Sequence, residues 1–206
     1  MIGMARPSRA SERRAELVAV ARRAVVDRGV LDLRLRDIAD GAGMSSGSVL
    51  YYFPSLAELL QEVQRDAVER FCDAREREAS SELTPPARLR AMIGSGLPTG
   101  PDDELCVLLY ELGTIARRDP AYAARHIALY ERQVRCYTAI LEAGAATGVF
   151  DLTDQAVTIA RNLVALEDGY GLHLTQAVAP LERATAVAML LAYARTSTRC
   201  ALEDVS

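Results

Sequence analysis

The chain has 206 residues, 24 arginines, no lysine, 28 acidic residues and a formal net charge of −4. With 50% hydrophobic and 5% aromatic residues it reads as an ordinary globular chain, neither disordered nor fibrous, of one or two domains. Its longest strictly apolar run, Ala186 to Ala194, has 9 residues, where a spanning helix needs about 20, so no membrane crossing is expected.

The chain is expected to be all-α, because strand-like alternation is scarce and alanine, leucine, arginine and glutamate dominate. A first helix is expected from about Ser11 to Asp27, with Leu17, Val18, Ala21, Ala24 and Val25 on one face and Gly29 as its stop. Charged residues between Arg6 and Glu16 occupy the place where a leader peptide's apolar stretch would lie, which points to a cytoplasmic protein. Two short helices follow, at about Leu35 to Gly41 and Ser46 to Tyr52, and Ser55 caps a longer one to about Arg77. Thr84-Pro85 opens a helix that ends near Gly94, and the glycines and prolines of Gly94 to Asp103 form a loop. Asp102 or Asp103 starts a helix to about Arg118, and Asp119-Pro120 starts another to about Gly144. Thr153 is a plausible cap for a helix reaching Val178, and Pro180 opens the last, to about Leu202, making nine.

Net charge alone argues against a nucleic-acid partner, but its distribution does not. Residues 1–56 hold 9 arginines against 6 acids, a charge of +3, while residues 57–206 hold 15 against 22, a charge of −7. Such an asymmetry suggests two parts with different partners: a DNA-binding domain over 1–56 and a ligand-binding and dimerisation domain over 57–206.

Leu35 to Phe53 has the spacing of a helix-turn-helix. Ala39 is small enough to let the second helix approach the first; Gly43 can take the left-handed conformation of the tight turn; Ile38, Met44 and Val49 close a small core. Ser45 or Ser46 caps the second helix of the pair and leaves its first amides facing outward, where they can hold a phosphate.

These residues, with Gly29 before them and then R-D-I-A, A-G-M-S, S-G-S-V and Y-Y-F-P-S in register, resemble the DNA-binding domain of the TetR family of transcriptional regulators over about residues 11 to 60. The resemblance implies an all-helical homodimer whose N-terminal domains bind a palindromic double-stranded DNA operator and whose larger C-terminal domain binds a small-molecule inducer. Arg36 matches a position that commonly touches the phosphate backbone; Ser46, Gly47, Ser48, Tyr51 and Tyr52 match the exposed recognition-helix positions; Phe53 is core. Three departures stand out. Leu33 replaces a frequent capping threonine, leaving Asp32 as a candidate cap; Leu50 and Tyr51 shift a common tyrosine; Leu56 replaces a phosphate-binding lysine. Arg6, Arg9, Arg13 and Arg14 are candidates to make good that lost contact. Further on, R-R-D-P at Arg117 to Pro120 and A-L-E-D-G-Y-G-L, ending at Leu172, are similar to the choline-regulator (BetI-type) branch of C-terminal domains.

The C-terminal part holds six of the eight tyrosines. Tyr110, Tyr130, Tyr137 and Tyr170, with Tyr122, are either pocket walls or packed core. Glu111 and Glu167-Asp168 lie in apolar surroundings and need a partner, either a cationic or hydroxylated ligand or one of the domain's arginines. Absence of tryptophan counts against an aromatic cage for a quaternary ammonium. The last two helices suggest the dimer seam: Gly169 and Gly171 permit close helix approach, and Val187, Leu190, Leu191 and Ala194 form an apolar stripe, which could instead pack within one subunit.

Cys72, Cys106, Cys136 and Cys200 lie 34, 30 and 64 residues apart and read as small buried hydrophobes, and His126 and His173 have no companion ligands, so neither metal nor cofactor is expected. The expected function is a ligand-responsive repressor released from its operator by the inducer. The alternatives are a helical enzyme or a protein-interaction adaptor with a vestigial helix-turn-helix. For an enzyme the chain offers no nucleophile with a nearby base and no phosphate-binding G-x-x-x-x-G-K.

Overall fold

The computed structural model describes residues 9–178 and 181–202. Within them the chain forms nine α-helices and no strand: α1 Arg9–Arg28, α2 Leu35–Gly41, α3 Ser46–Tyr52, α4 Leu56–Ala79, α5 Pro85–Gly96, α6 Glu104–Gly113, α7 Pro120–Ala146, α8 Ala156–Thr175 and α9 Arg183–Thr198. A short 3₁₀ turn, Thr114–Arg117, follows α6 and ends the α-helix earlier than expected. Among the described residues no helix is long and apolar enough to cross a membrane.

Local chemistry explains most boundaries. The side chains of Ser55, Asp103 and Asp119 accept backbone N–H bonds at the starts of α4, α6 and α7. Gly29 and Gly43 both take positive φ, +75° and +62°, where a side chain would be strained. Two expected caps are corrected. Asp32 does not cap α2; Arg34 occupies that position, and Asp37 accepts its backbone N–H at 2.8 Å and the Arg28 guanidinium at 2.8 Å. Thr153 does not cap α8; its backbone N–H donates to the Ser197 carbonyl at 2.9 Å, tying the α7–α8 connection to α9, and Gln155 is the N-cap. The expected opening of the last helix at Pro180 lies outside the described residues; α9 starts at Arg183.

Two cores organise the helices. Leu17, Ala21, Val25, Ile38, Val49 and Phe53 close the first three helices on α4, and Leu108 and Leu112 of α6 and Tyr122 of α7 belong to the same cluster. The second core joins α5, α7, α8 and α9 through Leu89, Met92, Tyr137, Ile140, Leu163 and Leu190. α4 packs on both sides of the division, touching α1, α5, α6 and α7.

Candidate nucleic-acid interface and ligand cavity

The reading surface is built by the turn between α2 and α3. Of the two candidate caps, Ser45 is the N-cap of α3: its Oγ accepts the Ser48 N–H at 3.1 Å and lies 2.8 Å from the Ser48 hydroxyl. Ser46 begins the helix, and Gly47 and Ser48 are exposed beside it. A Cβ at Gly47 would come no closer than 3.9 Å to its nearest neighbour, the Ser45 hydroxyl, so packing within the chain does not require glycine there. Tyr51 stands out of the surface at 82% exposure. The half-buried Tyr52 supports it edge-on, with ring centroids 5.1 Å apart, so the outward role falls to Tyr51. Phe53 is core, as expected.

The arginines divide by what holds them. Arg36 projects from α2, linked to Asp40 at 3.6 Å with both side chains largely in solvent. Such a pair is worth little and is exchangeable for a phosphate. Arg13 pairs with Glu16 at 2.5 Å. Arg14 departs from the expectation of a free cation, because its guanidinium lies 4.1 Å over the Phe53 ring and donates to the Tyr52 carbonyl. It clamps α1 to the end of α3. Arg6 lies outside the described residues.

The junction between the first three helices and the rest is polar as well as apolar. Glu111 accepts the backbone N–H of Val30 at 3.0 Å. Arg22 of α1 sits between Asp66 of α4 and Glu104 of α6, at 3.2 Å from each. Glu111 therefore faces the DNA-reading head and not a ligand pocket, although its neighbour Tyr110 faces the other way.

Tyr110 lines a small inner cavity of about 40 Å³, enclosed by Phe71 of α4, Gly96 of α5, Cys106 of α6, Gln133 of α7 and Asp168 of α8. His126, Leu129, Gln133 and Asp168 also line an outer groove of about 750 Å³ between α7 and α8, where Tyr130, Arg135 and Arg161 stand. A Cβ at Gly171 would fall 2.0 Å from the Tyr110 hydroxyl, so glycine makes room for that ring. Desolvation pushes the Tyr110 phenol well up, with Asp168 adding to the effect, and it stays protonated. Desolvation also raises the Asp168 carboxyl, against the pull of His126 and Arg75.

Glu167 and Tyr137 are not in the cavity wall. Burial turns them inward, where Arg75 Nη2 meets Glu167 Oε2 at 2.8 Å and the Tyr137 hydroxyl donates to the other carboxylate oxygen. Arg75 also donates to the Met92 carbonyl at 3.1 Å, which ties α5 to the same group. An arginine, not a ligand, is thus the partner of this carboxylate. Desolvation pushes the Glu167 carboxyl up, opposed by Arg75 and the Tyr137 hydroxyl. A Cβ at Gly96 would fall 1.8 Å from Glu167 Oε1, so glycine at the end of α5 is a condition of the triad. Tyr170 packs against the second core.

The expected dimer stripe also needs correction. Leu190 and Ala194 are fully buried in the second core, Gly171 is pressed against Tyr110, and Val187 and Leu191 are half-buried against that core. Only Gly169 keeps open space around it. The free face of the last two helices carries Ala165, Gly169 and Leu172 on α8 and Ala188, Met189 and Ala192 on α9. α9 is apolar on nearly every side, and its bulkier row goes to its own core.

A profile described as "Bacterial regulatory proteins, tetR family" matches residues 17–63, and one described as "BetI-type transcriptional repressor, C-terminal" matches residues 85–198, more than half of the chain. The chain belongs to the TetR family. Its relatives include the HTH-type transcriptional repressor KstR2 of Mycolicibacterium smegmatis, 41% identical over 63 residues, a match covering 31% of each chain. The HTH-type transcriptional regulator TtgR of Pseudomonas putida is 35% identical over 86 residues, 41% of this chain and 40% of that one. These alignments thus span less than half of the curated relatives' length. Among solved structures, a putative transcriptional regulator from Saccharomonospora viridis in complex with choline superposes with a TM-score of 0.82 at 25% identity, covering 89% of this chain and 95% of that one. A TetR transcription regulator from Haloarcula marismortui gives 0.80 at 26% identity, over 91% and 98%.

Sequence reasoning about this TetR-family chain missed Gln133, His126, Phe71, Arg135 and Arg161 as cavity residues and placed Glu167 where Asp168 stands. One signal was available. Leu129, Gln133 and Tyr137 share a row at i, i+4 spacing, and a glutamine inside an apolar row is out of place unless something meets it.

Proposed function

We propose that this TetR-family protein is a ligand-responsive transcriptional repressor that binds a palindromic operator as a homodimer and releases it when a small molecule enters the cavity between α4, α6, α7 and α8. Residues 1–56 act as the reader and residues 57–206 as the sensor and dimer body. Ser46, Gly47, Ser48 and Tyr51 enter the major groove, Arg36, Arg9 and Arg13 hold phosphates, and Tyr52 and Arg14 position α3. The partner subunit packs on the free face around Gly169, Leu172 and Met189, which sets two recognition helices about 34 to 36 Å apart.

The observation that carries this reading is the adjacency of Tyr110 and Glu111. The first closes the inner cavity and the second holds Val30 at the end of the reading head, while Leu108 and Leu112 of the same helix lie in the head's core. With only about 40 Å³ free beside Tyr110, a ligand group that seats there must displace α6, and α6 cannot move without moving what Glu111 holds. The Saccharomonospora viridis relative, which holds choline, supports a small molecule as the effector.

The test is a mobility-shift titration comparing DNA from upstream of the gene with random DNA. Preference for the upstream sequence, with affinity falling steeply as salt rises, is the expected result. Equal affinity for both sequences sinks the reading.

A further inference from the structure

The cavity carries opposite charges at its two ends and an unused amide between them. Asp168 forms no ion pair among the described residues and is the one acidic group beside Tyr110 in the inner cavity. Arg161 stands two turns earlier on α8, about 10 Å along the helix axis, and lines the outer groove with Arg135. Neither arginine makes an ion pair or side-chain hydrogen bond among the described residues. Glu76, the acid that Arg135 influences, is already held by Arg132 at 2.7 Å. Glu131 on the same wall leaves the outer end with one net positive charge. Gln133 is only 5% exposed, lines both compartments, and its side-chain amide has no hydrogen-bond partner among the described residues. A buried amide of that kind is ordinarily satisfied, and it can both donate to and accept from a guest.

We propose that the effector is a zwitterion: an ammonium seated at Asp168 beside Tyr110, a polar middle or bound water against Gln133, and a carboxylate or phosphate held by Arg161 and Arg135. The axial separation demands charges several bonds apart, so an α-amino acid is too short. A cation without an anionic end leaves the two guanidinium groups unused. This rests on the reading of the cavity as the effector site.

Isothermal titration of the full chain with 5-aminopentanoate and 4-(trimethylammonio)butanoate tests it, against pentylamine, choline, pentanoate and glycine. At least one of the two zwitterions should bind tenfold or more tightly than every single-charge probe and than glycine. Arg161→Gln should bring that zwitterion down to the affinity of its cation counterpart, and Asp168→Asn should abolish binding of both. Both side chains are exposed, and an unchanged thermal midpoint shows that each variant is folded. Binding of neither zwitterion, or equal binding by pentylamine or choline, overturns the proposal. Operator release is read separately. Zwitterion binding that leaves operator affinity unchanged upholds the zwitterion site and breaks the effector reading, whereas release by pentylamine at the same concentration as by 5-aminopentanoate does the reverse.

Discussion

In the reading head the polar side chains meant for another molecule stand in solvent: Arg36 with a loose 3.6 Å link to Asp40, Tyr51 at 82% exposure, Ser48 beside its cap. In the body the strongest polar group is hidden, with Arg75 and Glu167 at 2.8 Å and almost no exposure of either side chain. A charge left in water is cheap to redirect toward a new partner. One taken out of water is bound to the neighbour that compensates it. The head is therefore built to exchange partners and the triad to keep them, with the cavity between the two. Asp168, Gln133, Arg135 and Arg161 lie in the body but lack partners among the described residues.

The sharpest way to break this contrast is to remove one member of the triad. Glu167→Ala leaves the Arg75 charge buried and unpaired and should cost about 3 to 5 kcal/mol, read by denaturant unfolding. The double change Arg75→Met with Glu167→Leu should recover most of that loss. Glu167→Ala costing no more than a surface substitution would show that the triad is not a fixed element. The head should answer in the opposite sense. Tyr51→Ala is expected to weaken operator binding by about 1 to 3 kcal/mol while moving stability by no more than about 0.5 kcal/mol. Competition binding and thermal unfolding on the same preparation separate the two effects.

Smaller changes probe the seam and the rim. Glu111→Ala leaves the Val30 N–H without its acceptor, so it should destabilise the chain by about 1 kcal/mol and reduce effector-driven release more than it reduces operator affinity. A titration of release against effector concentration reads this directly. Arg36→Ala should weaken binding uniformly across DNA sequences and flatten the slope of log affinity against log salt by about 0.9. An unaltered slope removes Arg36 from the phosphate contacts.

The helix order, the turn at Gly43 and the burial of Phe53 were legible because each is fixed by local chemistry: caps, punctuation and apolar spacing within a few residues. Caps supplied from elsewhere were not. Asp37 serves Arg34 and Arg28 together, which takes the cap of α2 away from Asp32. Glu167 and Asp168 show the same limit in the body. Consecutive helical residues point about 100° apart, so one carboxylate met Arg75 and the other met the cavity. Nothing within the helix decides which. Arg75, which does decide it, lies on α4, and the pair is joined only when four helices pack. The dimer stripe was misassigned for a related reason: a helix apolar on almost all sides does not announce which row it keeps for itself.

α4 runs unbroken from the Ser55 cap beside the recognition helix to the neighbourhood of Arg75. Its 24 residues span about 36 Å. For a rigid rod of that length, a tilt of about 5° pivoting at the Arg75 end swings the other end through about 3 Å, nearly one base-pair step of DNA. The buried triad thereby acts as a fulcrum: the firmer its grip, the more of a small push near Phe71 and Tyr110 arrives at Ser55 as travel instead of being lost as bending.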